Sequence, residues 1–460
     1  MHLKVKFGLI TYQIMQITCS FRFELQPDKT QRSLMSRTAG CCRLVFNKAL
    51  ALQNELKEQH QKLFTYNELS QKLTAWKKES ETSFLREVPS QPLQQTLMDL
   101  CRGISDSFRK SGDPAKKGWP HFKSKDIGDA FRLPQLKPEH IDEGNARVKL
   151  PKLGWVRYRK SRDIRFRNAS GSLVKGCVKQ ATVSKEVGKW FISFAVVFEI
   201  KQPEMKALDV GIDLGVVHAV TTSDGRFFDL NIEAIKAQEL KIAKLQRQLS
   251  LNASSRKKLA KKKLAEAFDK HQPSRKRRKL LHRLQKAHQK IRRIRQDFHK
   301  RTAFILAQEY GCVYAEDLRV RNMTKSAKGT VENPGKNVKQ KGGLNRSILR
   351  TGFYDFRRSL EWALQKEGGL LITVTPQYTS QTCPHCGHCD SKNRPKQAVF
   401  HCVRCGYEDN ADVVGAINVK KKGRTGPTAH DKKRIACEVN GEHAGNDEQL
   451  VSNRNHPCET

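Results

Sequence analysis

The sequence predicts a multidomain α/β protein: a helical segment, a small β domain and an α/β core, the core interrupted by a four-cysteine metal module. Three observations lead there. The chain has 460 residues, too many for one small domain, and 37% of them are hydrophobic, enough to bury sizeable cores. Its apolar periodicity changes along the chain, from helical three- and four-residue steps to alternation and then to short apolar runs. Cys383-Pro-His-Cys386-Gly and Cys402-Val-Arg-Cys405-Gly are two CxxC turns, in a stretch that holds five of the thirteen cysteines.

The first element is a strand. In residues 17–25, Ile17, Cys19, Phe21, Phe23 and Leu25 alternate with polar neighbours, and Pro27 ends the run. A helix is expected over 29–58, with Leu34, Cys41, Val45, Ala49 and Leu52 on one face, and a second over 93–108 on Leu93, Leu97, Leu100, Ile104 and Phe108. From 122 to 198 the texture turns to short strands; Trp190, Ile192, Phe194, Val196 and Phe198 form one apolar row, and a small barrel with the helices inserted into it is expected. A new domain opens at about Ala207 with two or three strands. Residues 325–343, rich in Gly, Lys and Asn, read as a flexible loop, 346–368 as one helix and 370–374 as a strand. Beyond Gly423 the chain is polar and aperiodic, and a disordered tail is expected.

Charge narrows the partner. Lys plus Arg number 87 against 46 Asp plus Glu, a formal net charge of +41. A surface so basic repels itself until polyanions neutralise it, and nucleic acid is the usual polyanion. Between residues 236 and 300 there are 23 Lys or Arg against 4 Asp or Glu, with Leu280, Leu284, Ile291, Ile294 and Phe298 as an apolar stripe and Pro273 as a break. This predicts a basic helical hairpin that faces phosphates, with RKRRK at 275–279 its densest cluster. No apolar run reaches transmembrane length, the N-terminus lacks a signal-peptide cleavage site, and clustered cysteines suit a reducing compartment; cytoplasm, without a membrane partner, is expected.

The cysteine spacing fits one Zn²⁺ held by Cys383, Cys386, Cys402 and Cys405, since thiolates two residues apart on a tight turn grip one edge of a tetrahedron. Cys389 also completes a CxxC with Cys386, but a glycine follows Cys386 and Cys405 alike, and Asp390 follows Cys389. Four thiolates close a site, which makes it structural. Chemistry is then sought in acids that end apolar segments: Asp213 in VGIDLG, Glu316 in CVYAE and Asp412 opening DVVGAINV. Each alone is more often a cap or strand end than a catalyst. Together, in a basic protein, they suggest a carboxylate cluster for two Mg²⁺ ions.

Asp213 in GIDLG, Glu316 in AEDL and Asp412 in ADVVGAIN resemble, in order, the three acidic motifs of a RuvC nuclease core, a variant of the RNase H-like fold. TSQTCPHCG, the second CxxCG, FELQPDKTQRSLMSRTAGCCRLVFNKAL, VPSQPLQQTL and GWPHFKSK extend the resemblance over about residues 17–422 to TnpB, the insertion-sequence protein related to type V CRISPR effectors.

The resemblance implies an RNA-guided DNA endonuclease of a bacterial insertion sequence. It would bind a guide RNA from its own element, open double-stranded target DNA and cut it in a single RuvC site, associated with the nucleoid. Catalysis falls to Asp213, Glu316 and Asp412 with two Mg²⁺, and the zinc ribbon is structural. The implied domains are 1–26 (extension and first wedge strand), 27–121 (helical recognition lobe), 122–206 (wedge β-barrel) and 207–381 (RuvC core with the basic hairpin 236–300). The zinc ribbon at 382–408, the third motif and helix at 409–422 and the tail at 423–460 follow. The family's third motif usually reads DVNAA; here Val414 and Gly415 depart from it next to the expected metal. Two other readings fit the charge and acids: a nuclease-inactive RNA-guided DNA-binding regulator, and a transposase acting directly on element ends.

Overall fold

A computed structural model describes residues 14–425 apart from 112, 114, 125–127, 168–170 and 262–273, with backbone alone for 252–261. Pro273 and the expected tail beyond residue 425 lie outside the described residues. The chain divides into two compact units, residues 15–200 and the remainder.

The first unit begins with β1 (Ile14–Gln26), whose alternating Ile17, Cys19, Phe21, Phe23 and Leu25 are buried. Asp28 then caps α1 (Lys29–Glu58): its carboxylate accepts from the Gln31 amide at 2.7 Å, while the Gln31 side chain accepts from the Asp28 amide at 3.1 Å. Such a reciprocal cap is worth about 1 kcal/mol and places the helix start at Lys29. Thr65 and Glu68 repeat the device at α2 (Tyr66–Trp76), and α3 (Ser90–Ser107) buries Leu93, Leu97, Leu100 and Ile104.

The strands β2 (Ala130–Leu133), β3 (Ile141–Asp142), β4 (Arg147–Leu150), β5 (Gly154–Arg159), β8 (Cys177–Glu186) and β9 (Lys189–Lys201) join β1 in a seven-stranded sheet ordered β2-β8-β9-β1-β5-β4-β3. β6 (Arg165–Arg167) and β7 (Leu173–Lys175) pair separately. Since β1 sits mid-sheet and β2 at its edge, α1–α3 are an insertion between them. Phe23, Tyr158 and Phe194 pack ring to ring at 5.1–6.1 Å in the core. Among the described residues no ladder joins β2 to β3, so the expected barrel is an open sheet.

The second unit has a five-stranded sheet ordered β12-β11-β10-β13-β14. β10 (Asp209–Asp213), β11 (Val220–Thr222) and β12 (Phe227–Phe228) form an antiparallel meander, and β13 (Cys312–Glu316) and β14 (Leu370–Val374) continue parallel to β10. Parallel neighbours need helical crossovers. Between β12 and β13 runs the hairpin of α4 (Ile232–Lys261) and α5 (Arg275–Glu309). Its helices meet through Leu245, Leu249 and Leu280 and, farther along, Ile235 against Ile291, Ile294 and Phe298.

Between β13 and β14 the short α6 (Val320–Met323) precedes α7 (Val338–Thr351) and α8 (Phe353–Lys366). Here two expectations change. Residues 338–343 are helical although they include Gly342 and Gly343, with the Lys341 ammonium donating to the Met323 carbonyl. The single helix expected over 346–368 is broken at Gly352, whose φ of +73° is left-handed. An α-helix cannot pass such a residue. His299 of α5 lies against the break and donates from Nε2 to the Thr351 carbonyl at 2.8 Å.

β15 (Val399–His401) pairs with β16 (Glu408–Asn410), and α9 (Ala411–Thr425) completes the unit. One sheet face packs on α5 and α8 through Val210, Ile212, Val313, Leu306, Phe356 and Leu360. The other carries Cys312, Tyr314, Ile372 and Val374 against Val419 of α9.

Candidate active site and metal centre

Strand alternation decides where the first two acids point. Val210 and Ile212 of β10, and Val313 and Ala315 of β13, face the α5–α8 layer. Gly211 and Asp213, with Cys312, Tyr314 and Glu316, therefore face α9. The strands are parallel with Ile212 opposite Ala315, so Asp213 and Glu316 end adjacent central strands, one step beyond that pair. In an open α/β sheet the carboxyl ends of the strands are where ligands collect.

Close approach brings the third acid in. A Cβ on Gly211 would lie 2.1 Å from the Ala416 carbonyl oxygen, and one on Gly423 would lie 2.0 Å from Tyr314 Cδ1. Only glycine at both points lets α9 lie flat on the sheet. The first turn of α9 is thereby set beside Asp213: a Cβ at Gly415 would be 3.4 Å from Asp213 Oδ2. The cap of this helix is Asn410, whose Oδ1 accepts from the Asp412 and Val413 amides at 2.9 and 3.4 Å. Asp412 is thus relieved of the capping role that an acid at a helix start usually has.

Asp213 is the carboxylate on which burial and its neighbours act most strongly. Burial, then the charges of Glu316 and Asp412, push Asp213 up to about 7, while the Arg394 guanidinium opposes the rise. Burial also raises Glu316, against a hydrogen bond from Thr379 and the charge of Lys422. Thr379 Oγ1 lies 2.6 Å from Glu316 Oε1. Arg394 donates to Asp412 Oδ1 over 3.4 Å and to the Gln397 carbonyl at 2.7 Å. A buried carboxylate whose ionisation is opposed by two neighbouring acids belongs to a donor set that a hard divalent cation would satisfy. Arg394 and Thr379 escaped the sequence reading because nothing in their spacing ties them to the acids; the fold alone brings them there.

The departures in the third motif separate. Gly415 lies against Asp213, but Val414 turns away and is fully buried with Cys383, Phe400, Cys402 and Ala411. The two departures therefore meet different neighbours, because adjacent residues on a helix point different ways. Asn418, one turn on from Val414, donates to the Thr379 and Thr382 carbonyls at 2.8 and 2.6 Å.

The sulfur atoms of Cys383, Cys386, Cys402 and Cys405 all lie within 4.8 Å of one another. Cys383–Cys405 and Cys386–Cys402 are 3.7 and 3.6 Å apart. A tetrahedron with Zn–S bonds of about 2.3 Å has edges of about 3.8 Å, so the four cysteines can hold a metal such as zinc. The two turns share one pattern. Gly387 and Gly406 donate to the Cys383 and Cys402 carbonyls, and the Cys383 and Cys402 amides donate to the His388 and Tyr407 carbonyls. Both glycines have φ of +74°, the left-handed turn their position demands. Cys389 is exposed and instead bridges Thr382 along the backbone. Fully buried Asn393 joins the turns: its amide donates to the Gln381 and His388 carbonyls and its oxygen accepts from the Val403 amide.

On the basic hairpin Arg275, Lys276, Arg278 and Lys279 are exposed, while Arg277 is half-buried. Among the described residues no helix is long and apolar enough to cross a membrane.

Known proteins align with this arrangement. Residues 177–327 match the family model described as "Probable transposase" (OrfB_IS605), and residues 353–419 match "Cas12f1-like, TNB domain". A "Helix-turn-helix domain" model covers 15–62, which here is a strand and one long helix. Two relatives bear the name "Putative RNA-guided DNA endonuclease". InsQ of Escherichia coli (strain K12) is 40% identical over 88% of this chain and 92% of its own length. The protein of Streptomyces pristinaespiralis is 28% identical over 89% and 90%. A solved complex of Cas12f1 with single-guide RNA and target DNA aligns over 88% of this chain and 98% of that one, at 17% identity and a TM-score of 0.28, too distant for its geometry to carry over.

Proposed function

Because this chain belongs to the TnpB family, we propose that it is an RNA-guided DNA endonuclease of an insertion sequence, cutting DNA at Asp213, Glu316 and Asp412. One observation carries this: three acids remote in sequence converge at the ends of two central strands and the start of one helix, where burial and mutual charge lift Asp213 to about 7. An antiparallel meander continued by parallel strands supports an RNase H-like, RuvC-type core, and the open seven-stranded sheet with its helical insertion supports the wedge and recognition lobe. The domain limits proposed are those the resemblance implies, with the last helix extended to Thr425.

The acids would hold two Mg²⁺ ions, which activate a water and stabilise the leaving oxygen of a phosphodiester. This chain's own residues do the rest. Asp213 is fixed by the β10–β13 ladder, Glu316 is oriented by the Thr379 hydroxyl, and Asp412 is held by α9 and faced by Arg394, a cation suited to a scissile phosphate. The exposed bases of the α4–α5 hairpin hold nucleic acid by its backbone, and guide–target pairing supplies sequence choice. The thiolate cluster holds one Zn²⁺ and is structural.

The test is co-expression with the non-coding RNA of its own element, sequencing of the RNA that co-purifies, and cleavage of plasmids with randomised flanks in Mg²⁺. Bound RNA and cutting that Asp213→Ala abolishes are expected. Bound RNA without cutting would favour the regulator, and cutting of element ends without RNA would favour the transposase.

A further inference from the structure

One residue beside the acid site is both strained and exposed. Tyr378 has a φ of +62°, the left-handed region, and the residue is 66% exposed. A bulky side chain there costs about 1–2 kcal/mol. Among the described residues its ring makes no aromatic contact and its hydroxyl no hydrogen bond, so no specific interaction of the side chain offsets that cost.

The backbone around it is held from all sides. The Tyr378 carbonyl accepts from the Gln381 and Thr382 amides, both at 3.1 Å, and from Thr382 Oγ1 at 2.8 Å. Lys422 of α9 donates to the Thr375 and Gln377 carbonyls at 3.0 Å, Asn418 donates to the Thr379 carbonyl, and Thr379 bonds Glu316. Glycine would adopt this turn without strain, yet an aromatic ring is kept on a rigid platform one residue from a group that contacts the acid cluster.

We propose that Tyr378 is a positioning residue that stacks an unpaired base of the strand to be cut. The reading rests on the nuclease assignment above. Aromatic faces bind unpaired bases without sequence preference, which suits a site whose sequence choice is made by pairing elsewhere. A stack anchored beside Glu316 would fix the register of the strand against the carboxylates.

The test uses the RNA-bound chain and a single-stranded target oligonucleotide with 2-aminopurine at successive positions around the cut, with Ca²⁺ in place of Mg²⁺. Quenching at one position in the wild type and in Tyr378→Phe, and its loss in Tyr378→Gly, is expected. In Mg²⁺, Tyr378→Gly lowers kcat/KM about tenfold, within the range of one lost base stack, while its Tm equals or exceeds that of the wild type. Equal quenching in wild type and Tyr378→Gly at every position would overturn the stack, as would a Tm several degrees lower in that variant, which marks a structural role. A wild type that quenches but never cuts would instead overturn the nuclease assignment.

Discussion

Gly415 faces Asp213: a methyl group at position 415 would come to 3.4 Å from Oδ2, 3.5 Å from Cγ and 3.8 Å from Cβ of that acid. These are van der Waals contacts with little room beyond them. Gly415→Ala should therefore keep cleavage within about twofold and raise stability by roughly 0.5–1 kcal/mol, because a mid-helix glycine is replaced. Gly415→Leu should abolish cleavage by displacing Asp213. Thermal melts beside single-turnover cleavage would check both, and an inactive Gly415→Ala would contradict the contact.

Asp213 weakens the fold when it ionises. Its folded-state pKa of about 7 exceeds the ordinary carboxylate value of 3.8, so between those values the folded chain holds more protons than the unfolded one. Stability from this group is present below pH 4 and lost as pH rises toward 7. In chelator at pH 8, Asp213→Asn should melt roughly 2–4 °C higher than wild type and cut nothing. The difference should vanish at pH 4. A lower Tm for the variant at pH 8 would contradict the like-charge crowding.

Thr379→Val removes the hydroxyl that bonds Glu316 and holds its pKa down. The carboxyl then ionises at higher pH. The acid limb of the pH–rate profile should move up by roughly one unit, the worth of one hydrogen bond to a charged group. An unmoved limb would remove Glu316 from the essential ionised groups.

Asn393→Ala deletes three hydrogen bonds between the two cysteine turns from a fully buried position. It should cost roughly 2–3 kcal/mol and speed the loss of zinc to a chelator, followed by a colorimetric dye. Cys402→Ser should lose zinc outright. Full zinc content and full stability in Cys402→Ser would refute a structural metal site.

Changing Arg275, Lys276, Arg278 and Lys279 together to Gln should weaken nucleic-acid binding uniformly across sequences. The slope of log K against log salt should become shallower by about 3 if all four meet phosphates. An unchanged slope in a salt titration would place the hairpin away from the backbone.

Much of this was legible from residue order. The Asp28 cap and its Gln31 partner set the start of α1 where periodicity puts it, and each of the first two acids ends an apolar run that had to be a strand. Convergence was harder to read. It depends on parallel register, on Gly211 and Gly423 admitting α9, and on Arg394 arriving from another element. The break at Gly352 was locally visible as a glycine inside a helical pattern, but its left-handed turn is locked by His299, more than fifty residues away. Val414 could not be placed from sequence, since only the helix rotation shows which side it serves.

That rotation has an evolutionary meaning. α9 offers Asp412 and Gly415 to one neighbour and Val414 and Asn418 to another, so a single helix is party to two contracts. A ribbon borrowed from a homologue by exchange at 382–408 would meet an unfamiliar Val414, and mismatch there would tilt the beam that holds Asp412. The two modules are therefore expected to be inherited as one piece, with crossovers tolerated before Thr375 and not between Cys405 and Asn418.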